Sequence, residues 1–478
     1  MSDRPVIVIG GGLAGITAAL DLAGAGRQVL LLEARPRLGG RAASARRDGR
    51  PLDTGVHVIL RCYQQYRSLL RRLGVEHLVP IQDRLDITVL RPDGDRARLT
   101  RARRGPAPLH LLPALLRYAA LPPAARLSAA TAAAALRRVD PDDPRADLES
   151  FGSWLARHGQ TRLSAERLWG LVSTAALNLP PAEASLGLAA RVFRTGLLDG
   201  VDSGDIGIPV APLAALHEEP TRQALLAAGA RVTLGCKALG ISRDTSGLTV
   251  TVRERAGAPH PVEAESVVLA VPHDHAAELV PADAAPDAAD WLGLGHSAIV
   301  NVHLVLDRPV LPVPFAAVPQ SPLQWVFDRT APSGREGTGT QYLVCSVSAA
   351  DTAVRTRAED LVRLHLSELR RHLPEARRAA LLDGFVTREP QATFRQGPGS
   401  RQWRPGPATR WDELALAGAW TVPGWPDTLE AAVRSGHAAA DLLAGADRGG
   451  ASRAGQARRP ARTPLHQHDD RHEMEVTS

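Results

Sequence analysis

The chain opens on a buried-strand pattern, Val6-Ile7-Val8-Ile9, which glycines interrupt at once over Gly10 to Gly15. An apolar stretch with helical spacing, Ile16 to Ala25, follows, and then a second apolar run, Gln28 to Leu32, closed by Glu33. Strand, tight turn, helix, strand is the start of a βαβ unit. Further along, Leu127 to Val139 reads as an Ala-rich helix, and about Leu148 to Thr195 reads as a helical region. Arg231 to Leu234, Leu248 to Val252 and Val267 to Pro272 read as strands. Ile299 to Leu306 alternates apolar and polar residues, as expected of a sheet with one wet face. Asp360 to Leu373 reads as an amphipathic helix, and Leu414 to Leu443 as the last structured unit. The polar tail after Gly445 is expected to be disordered, and its His466, His468 and His472 to be solvated rather than to bind metal.

Composition refines this picture only in places. With 478 residues the chain suits two or three domains. Apolar residues at 44% and charged residues at 23% are those of a globular protein. The net charge of +6 does not argue for a nucleic-acid partner. Nearly all the positive charge is Arg, with Lys237 the sole lysine, and Arg with abundant Ala reflects a GC-rich coding bias. Cys62, Cys236 and Cys345 are scattered, without the spacing of a zinc site or a disulfide framework, and fit a reducing compartment. The N-terminus lacks the features of a secretory signal, and no run of eighteen apolar residues suggests a membrane span. A cytoplasmic location is therefore expected.

The first candidate chemistry is Gly10-x-Gly12-x-x-Gly15. Gly10 permits the tight turn, Gly12 lets the backbone approach a pyrophosphate, and Gly15 lets helix and strand pack closely. The helix start at Leu13 and Ala14 offers free N–H groups to phosphate. Glu33 is placed to accept hydrogen bonds from ribose hydroxyls and would repel a 2′-phosphate, which disfavours NADP. Glu33-Ala34-Arg35-Pro36-Arg37-Leu38-Gly39-Gly40-Arg41 then brings two glycines and a phosphate-neutralising Arg41. Leu52-Asp53-Thr54-Gly55-Val56-His57 follows as a strand and turn.

These motifs, in this order, resemble the flavin amine oxidase and carotenoid desaturase superfamily. The resemblance implies noncovalent FAD and an α/β fold: a discontinuous Rossmann-like FAD-binding domain of the glutathione-reductase type, with a mixed-sheet and helical substrate domain. The implied FAD domain comprises residues 1–90, 213–275 and 405–445, and the substrate domain 91–212 and 276–404. It also implies that Gly55, Val56 and His57 lie by the flavin, that Val232 lies near the adenine, and that Gly418 ends a strand facing the cofactor. The helix after Trp425-Pro426-Asp427-Thr428 points its N-terminus at the flavin pyrimidine, with the Leu429 N–H as donor. One position departs from the family: Ala419 stands where an Asp is usual, which removes a polar anchor.

Ala176 to Ser185, Val192 to Leu197 and Asp205 to Pro209 resemble the squalene-associated FAD-dependent desaturases more narrowly. That group implies an isoprenoid lipid substrate, with reductive removal of the hydroxyl of hydroxysqualene in hopanoid synthesis. Such a reaction asks for an acid at the departing oxygen, and His57 and Asp205 are the candidates. A carotenoid desaturase, an amine oxidase, or a non-catalytic lipid-binding protein on a flavin fold are the alternatives. Arg96, Arg98, Arg101, Arg103 and Arg104 precede the apolar stretch Leu109 to Tyr118. Two readings of that stretch stand: a solvated basic loop beside a helical domain, or a patch that rests on the cytoplasmic membrane surface.

Overall fold

The computed structural model describes residues 4–446, apart from 246, 256 and 423. The histidine-bearing tail lies outside the described residues. The N-terminal hydrophobic runs do form a parallel sheet. Val6–Ile9 is its central strand, flanked by Ser266–Leu269 and Val29–Glu33, with Leu414–Leu416 and Arg231–Leu234 at the edges. Pairing is in parallel register, Ile7 opposite both Val267 and Leu30. Helices Leu13–Gly24 and Leu429–Ala446 pack on one face, where Ile16, Leu20, Val433 and Leu443 are buried. Burying both faces explains why these strands read as unbroken aliphatic runs rather than alternating ones. A three-stranded antiparallel sheet, Cys236–Asp244, Gly247–Glu254 and His260–Ala264, covers the other face together with Trp291 and Trp420.

A seven-stranded mixed sheet forms the second layer. His296–Leu306, second from one edge, is antiparallel to both Gln341–Val347 and the edge strand Leu381–Phe394. The alternation within Ile299 to Leu306 does not mark a wet face. Asn301 and His303 are 1% and 2% exposed. One face of the strand, with Val300, Val302 and Leu304, packs against helix Ala358–His372, and the other turns its polar residues inward. His303 is held by Tyr342 and Thr387 at 2.7 and 2.9 Å, and burial holds its imidazole down at about 3, so it is neutral.

Asp86–Leu90 pairs with Arg96–Thr100 and extends this second sheet through Phe315–Val318. The boundary expected at residue 90 therefore falls earlier, before Asp86. Pairing across the sheet, rather than anything in the local apolar pattern, assigns that strand. A helical cap completes the substrate side, built around Phe151, Trp154, Trp169 and Phe193. The expected 148–195 helical region is present, broken by one-turn π segments at Ala165–Trp169 and Arg194–Leu198. Asn178, in a left-handed conformation, ends helix Gly170–Leu177. It bonds Ser297 O, Thr393 Oγ1 and the Ala349 N–H, tying the cap to the sheet. No described helix is long and apolar enough to cross a membrane.

Candidate functional site

One cavity of about 920 Å³ begins at the carboxyl ends of the parallel strands and runs into the helical cap. At its first end the glycines do what their positions require. Gly10 has φ +110°, and a Cβ there would meet Ala270 O at 2.3 Å. A Cβ on Gly15 would meet Gly10 O at 1.9 Å, so the third glycine is a packing requirement. Gly12 instead faces the cavity, and a Cβ there would have only Gly40 Cα near it, at 3.9 Å. Leu13 and Ala14 open the first helix on the same wall, and no side chain caps it, which leaves its first N–H groups free for an anion.

Glu33 closes that end. Its Oε2 accepts from the Gly11 N–H and its Oε1 from the Arg35 N–H, each at 2.7 Å. Each oxygen retains a lone pair for a ribose hydroxyl. Ala34, Arg35, Gly39, Gly40 and Arg41 line the same stretch. Gly39 donates its N–H to Gly11 O at 2.8 Å, which seats the second glycine loop against the first. This glycine cradle, rimmed by Glu33 and Arg41, fits a dinucleotide.

Val232 does not reach the cavity. It pairs with Leu31, two residues short of the strand end at Glu33, and packs into the core. The lining residues from that region are Cys236, Lys237 and Ala238, after the turn at Gly235 carries the chain across the sheet edge.

Gly55, Val56 and His57 line the middle of the cavity, as do Gly418, Ala419, Trp420 and Leu429. Gly418 has φ +141°, and a Cβ there would meet the Trp420 indole at 2.5 Å. The turn at Ala419 keeps its shape without a carboxylate. Buried Arg404 donates to Ala419 O at 2.9 Å and Trp420 O at 3.1 Å, and Trp420 Nε1 donates to Val271 O at 3.0 Å. Burial lowers the Arg404 guanidinium to about 10.

Neither expected acid is placed to give up a proton. Asp205 is fully buried and does not line the cavity. Its Oδ1 accepts from Arg101 Nε at 2.7 Å and the Leu85 N–H at 2.6 Å, and its Oδ2 from Arg101 Nη2 at 2.8 Å and Arg61 Nε at 3.2 Å. A carboxylate held by two guanidiniums is a brace, not a proton donor. His57 does line the cavity, but its Nδ1 lies 3.1 Å from Gly55 O and so carries the ring proton. Burial, helped by Arg329, holds the imidazole below its usual range against the opposing pull of the Gly55 carbonyl and Asp53. Neutral His57 thus presents a lone pair at Nε2 and has no proton to give there.

Beyond the middle the wall is apolar: Leu109, Leu112 and Leu115, then Ala133, Val172, Phe193 and Leu197. Ala176, Asn178, Val192 and Gly196 come from the segments that set this chain apart within its superfamily. Few polar side chains interrupt the wall. Asn301, Thr393, His273 and Asp427 are among them, and sequence reasoning assigns none of these a role. Asp427 lies within the Trp425 to Gly436 segment, and an acid two residues before the helix start at Leu429 is the available signal. His273 follows the strand end at Leu269 and stacks obliquely on His296 with ring centroids 4.6 Å apart, a pairing that no sequence spacing reveals.

A family model, flavin containing amine oxidoreductase, matches residues 13–444, which covers nearly everything described but leaves out the first strand and the glycine turn up to Gly12. The chain belongs to that family. The family's chemistry makes this an FAD-dependent oxidoreductase, and the glycine cradle is the part of the cavity whose shape fits such a cofactor. Hydroxysqualene dehydroxylase of Rhodopseudomonas palustris is 31% identical over 93% of this chain and 100% of its own length. The protein of that name from Sinorhizobium fredii is 30% identical over 92% and 98%. Zeta-carotene desaturase of Arabidopsis thaliana is 24% identical over 92% and 85%. Among solved structures, putrescine oxidase bound to putrescine superimposes with a TM-score of 0.66 at 20% identity, over 92% of this chain and 99% of that one. Cyclohexylamine oxidase of Brevibacterium oxydans gives 0.66 at 19%, over 94% and 100%. At that identity the two oxidases attest the shared fold alone.

Proposed function

We propose that this flavoprotein reductively removes the hydroxyl group of hydroxysqualene to give squalene, as a step of hopanoid biosynthesis. The observation that carries the reading is the cavity itself: a polar dinucleotide cradle opening into a long apolar chamber with few polar groups. Its volume lies at the upper end of ordinary ligand pockets. Full-length similarity to hydroxysqualene dehydroxylases supports the same substrate.

When bound and reduced, FAD would supply a hydride, which carries both electrons of the reduction. The chain's own residues do the rest. Gly12, Gly40, Glu33 and Arg41 would hold the cofactor's phosphates and ribose. The N-terminus of helix Leu429–Ala446, which lines the cavity, would offer positive backbone potential to a negatively charged reduced flavin. Val172, Phe193 and Leu197 keep water from an allylic cation, which water would otherwise trap.

The reading includes peripheral membrane contact on the cytoplasmic side. Leu109, Leu112, Leu116 and Leu127 are 61%, 37%, 50% and 64% exposed, and Leu109 and Leu112 also line the cavity. Exposed Arg103 and Arg104 flank them. Not every arginine of that run is available: Arg101 is committed to Asp205 and Arg98 pairs with Asp86.

The similarity to zeta-carotene desaturases favours one second reading, hydride transfer in the opposite direction. The test is anaerobic incubation with hydroxysqualene and with phytoene, each with reduced and with oxidised FAD. Squalene from hydroxysqualene with reduced FAD alone is the expected result. Conjugated polyene from phytoene with oxidised FAD, and no squalene, overturns the proposal in favour of the desaturase.

A further inference from the structure

Under the dehydroxylation reading, protonating the departing oxygen needs a group that holds a proton and faces the cavity. Asp205 is ion-paired outside the cavity, and His57 turns its only ring proton toward Gly55 O. Among the described residues, the carboxyl groups lining the cavity are Glu33, Glu389 and Asp427. Glu33 sits at the ribose end with both oxygens held by backbone N–H groups. Glu389 lies on strand Leu381–Phe394 and is only half-buried, so water reaches it.

Asp427 is different. It stands two residues before Leu429, where the cofactor-facing helix begins, and beside the strand end at Phe394. Its Oδ2 accepts the Phe394 N–H at 3.0 Å, and its own N–H is fixed by Gln396 Oε1 at 2.9 Å. Among the described residues no side chain bonds its Oδ1. Arg41 approaches only to 3.7 Å, too far for a tight charge-assisted bond.

We infer that Asp427 is the catalytic acid, a carboxylic acid poised between the cofactor-facing helix and the apolar chamber that donates its proton to the departing hydroxyl oxygen. Burial pushes this carboxyl above the usual range, while Arg41, the Phe394 N–H, Arg404 and His296 oppose the shift. The step balances. The C–O bond breaks with its electron pair going to oxygen, the Asp427 proton joins that oxygen, and water leaves. A hydride from reduced FAD forms the new C–H bond, so the carbon is reduced and the flavin oxidised by two electrons. Asp427 is left as a carboxylate, which Arg41 steadies until a proton returns.

The test uses full-length holoenzyme with FAD reduced beforehand and follows a single turnover of hydroxysqualene. Asp427→Asn keeps an acceptor for the Phe394 N–H but has no acidic proton. It should slow squalene formation by about 100-fold or more. Its FAD dissociation constant should be unchanged. The acetate ester of the same alcohol, whose leaving group departs without a proton, should react in Asp427→Asn at nearly the wild-type rate. Glu389→Gln should leave turnover of the alcohol intact. In the wild type an infrared difference spectrum should carry a protonated-carboxyl C=O band that Asp427→Asn lacks. Wild-type turnover by Asp427→Asn overturns the assignment. So does loss of FAD affinity in step with the rate, or an ester that is slowed as much as the alcohol. A wild-type enzyme that forms no squalene overturns the reaction itself, and so separates that failure from a failure of Asp427.

Discussion

Replacing Asp205 by Asn asks whether a buried carboxylate braces the fold or does chemistry. The substitution keeps an acceptor for the Leu85 N–H and the shape of the side chain, and removes the charge. Arg61 is about one-third exposed and can turn its guanidinium to water. Arg101 is 9% exposed and cannot, so a cation would be stranded in the interior. Breaking one half of a buried ion pair costs about 3–5 kcal/mol, because the partner stays desolvated and unpaired. For a chain of this length unfolding as a unit, that is a fall in Tm of roughly 3–5 °C. Differential scanning calorimetry of the FAD-loaded protein measures it. The double variant Asp205→Asn, Arg101→Met removes the stranded charge and should recover much of the loss, giving a coupling energy of at least about 1 kcal/mol. Unchanged Tm together with a turnover loss of about 100-fold would refute the structural role and restore Asp205 as the acid.

Glu33→Gln should weaken FAD binding by about 1–3 kcal/mol, since a charged acceptor is lost between two backbone donors and the ribose; an unchanged dissociation constant by fluorescence titration would reject that strand end as the ribose anchor. FAD should appear in the supernatant after acid precipitation, because the cradle holds it without a covalent bond, and flavin in the pellet would contradict this. His217 and His273, each lowered mainly by burial to about 4, are neutral when folded but take up protons near the ordinary value when unfolded. The unfolded state then binds more protons between that value and about 4, so stability should fall as pH drops through this window; urea midpoints that stay level across it would contradict the sign. Leu116→Ser with Leu127→Ser, both outside the cavity, should reduce cosedimentation with anionic liposomes while leaving turnover of detergent-dispersed substrate unchanged, and equal sedimentation would remove this patch as the contact.

The sequence by itself determined the nucleotide half of this protein. Gly10, Gly12, Gly15 and Glu33 act through backbone geometry within one βαβ unit, so their meaning is local and their spacing is enough to read it. Gly39 and Gly40 read as turn glycines for the same reason, although the contact they make with Gly11 and Gly12 is long-range in the chain. Tertiary structure decided everything that depends on which segments meet. Val232 lies on the expected strand, yet parallel register with Leu31 stops it short of the cavity and hands that wall to Cys236, Lys237 and Ala238. The polar positions of Ile299 to Leu306 read as solvent-facing because alternation reports two faces without saying what covers them. Asp205 reads as free in sequence because the arginines that hold it come from 104 and 144 residues away. Asp427 escapes sequence reasoning for the converse reason: its environment is assembled from Arg41, Phe394 and Gln396, drawn from separate segments of the chain, and only their convergence leaves a carboxyl facing an apolar chamber.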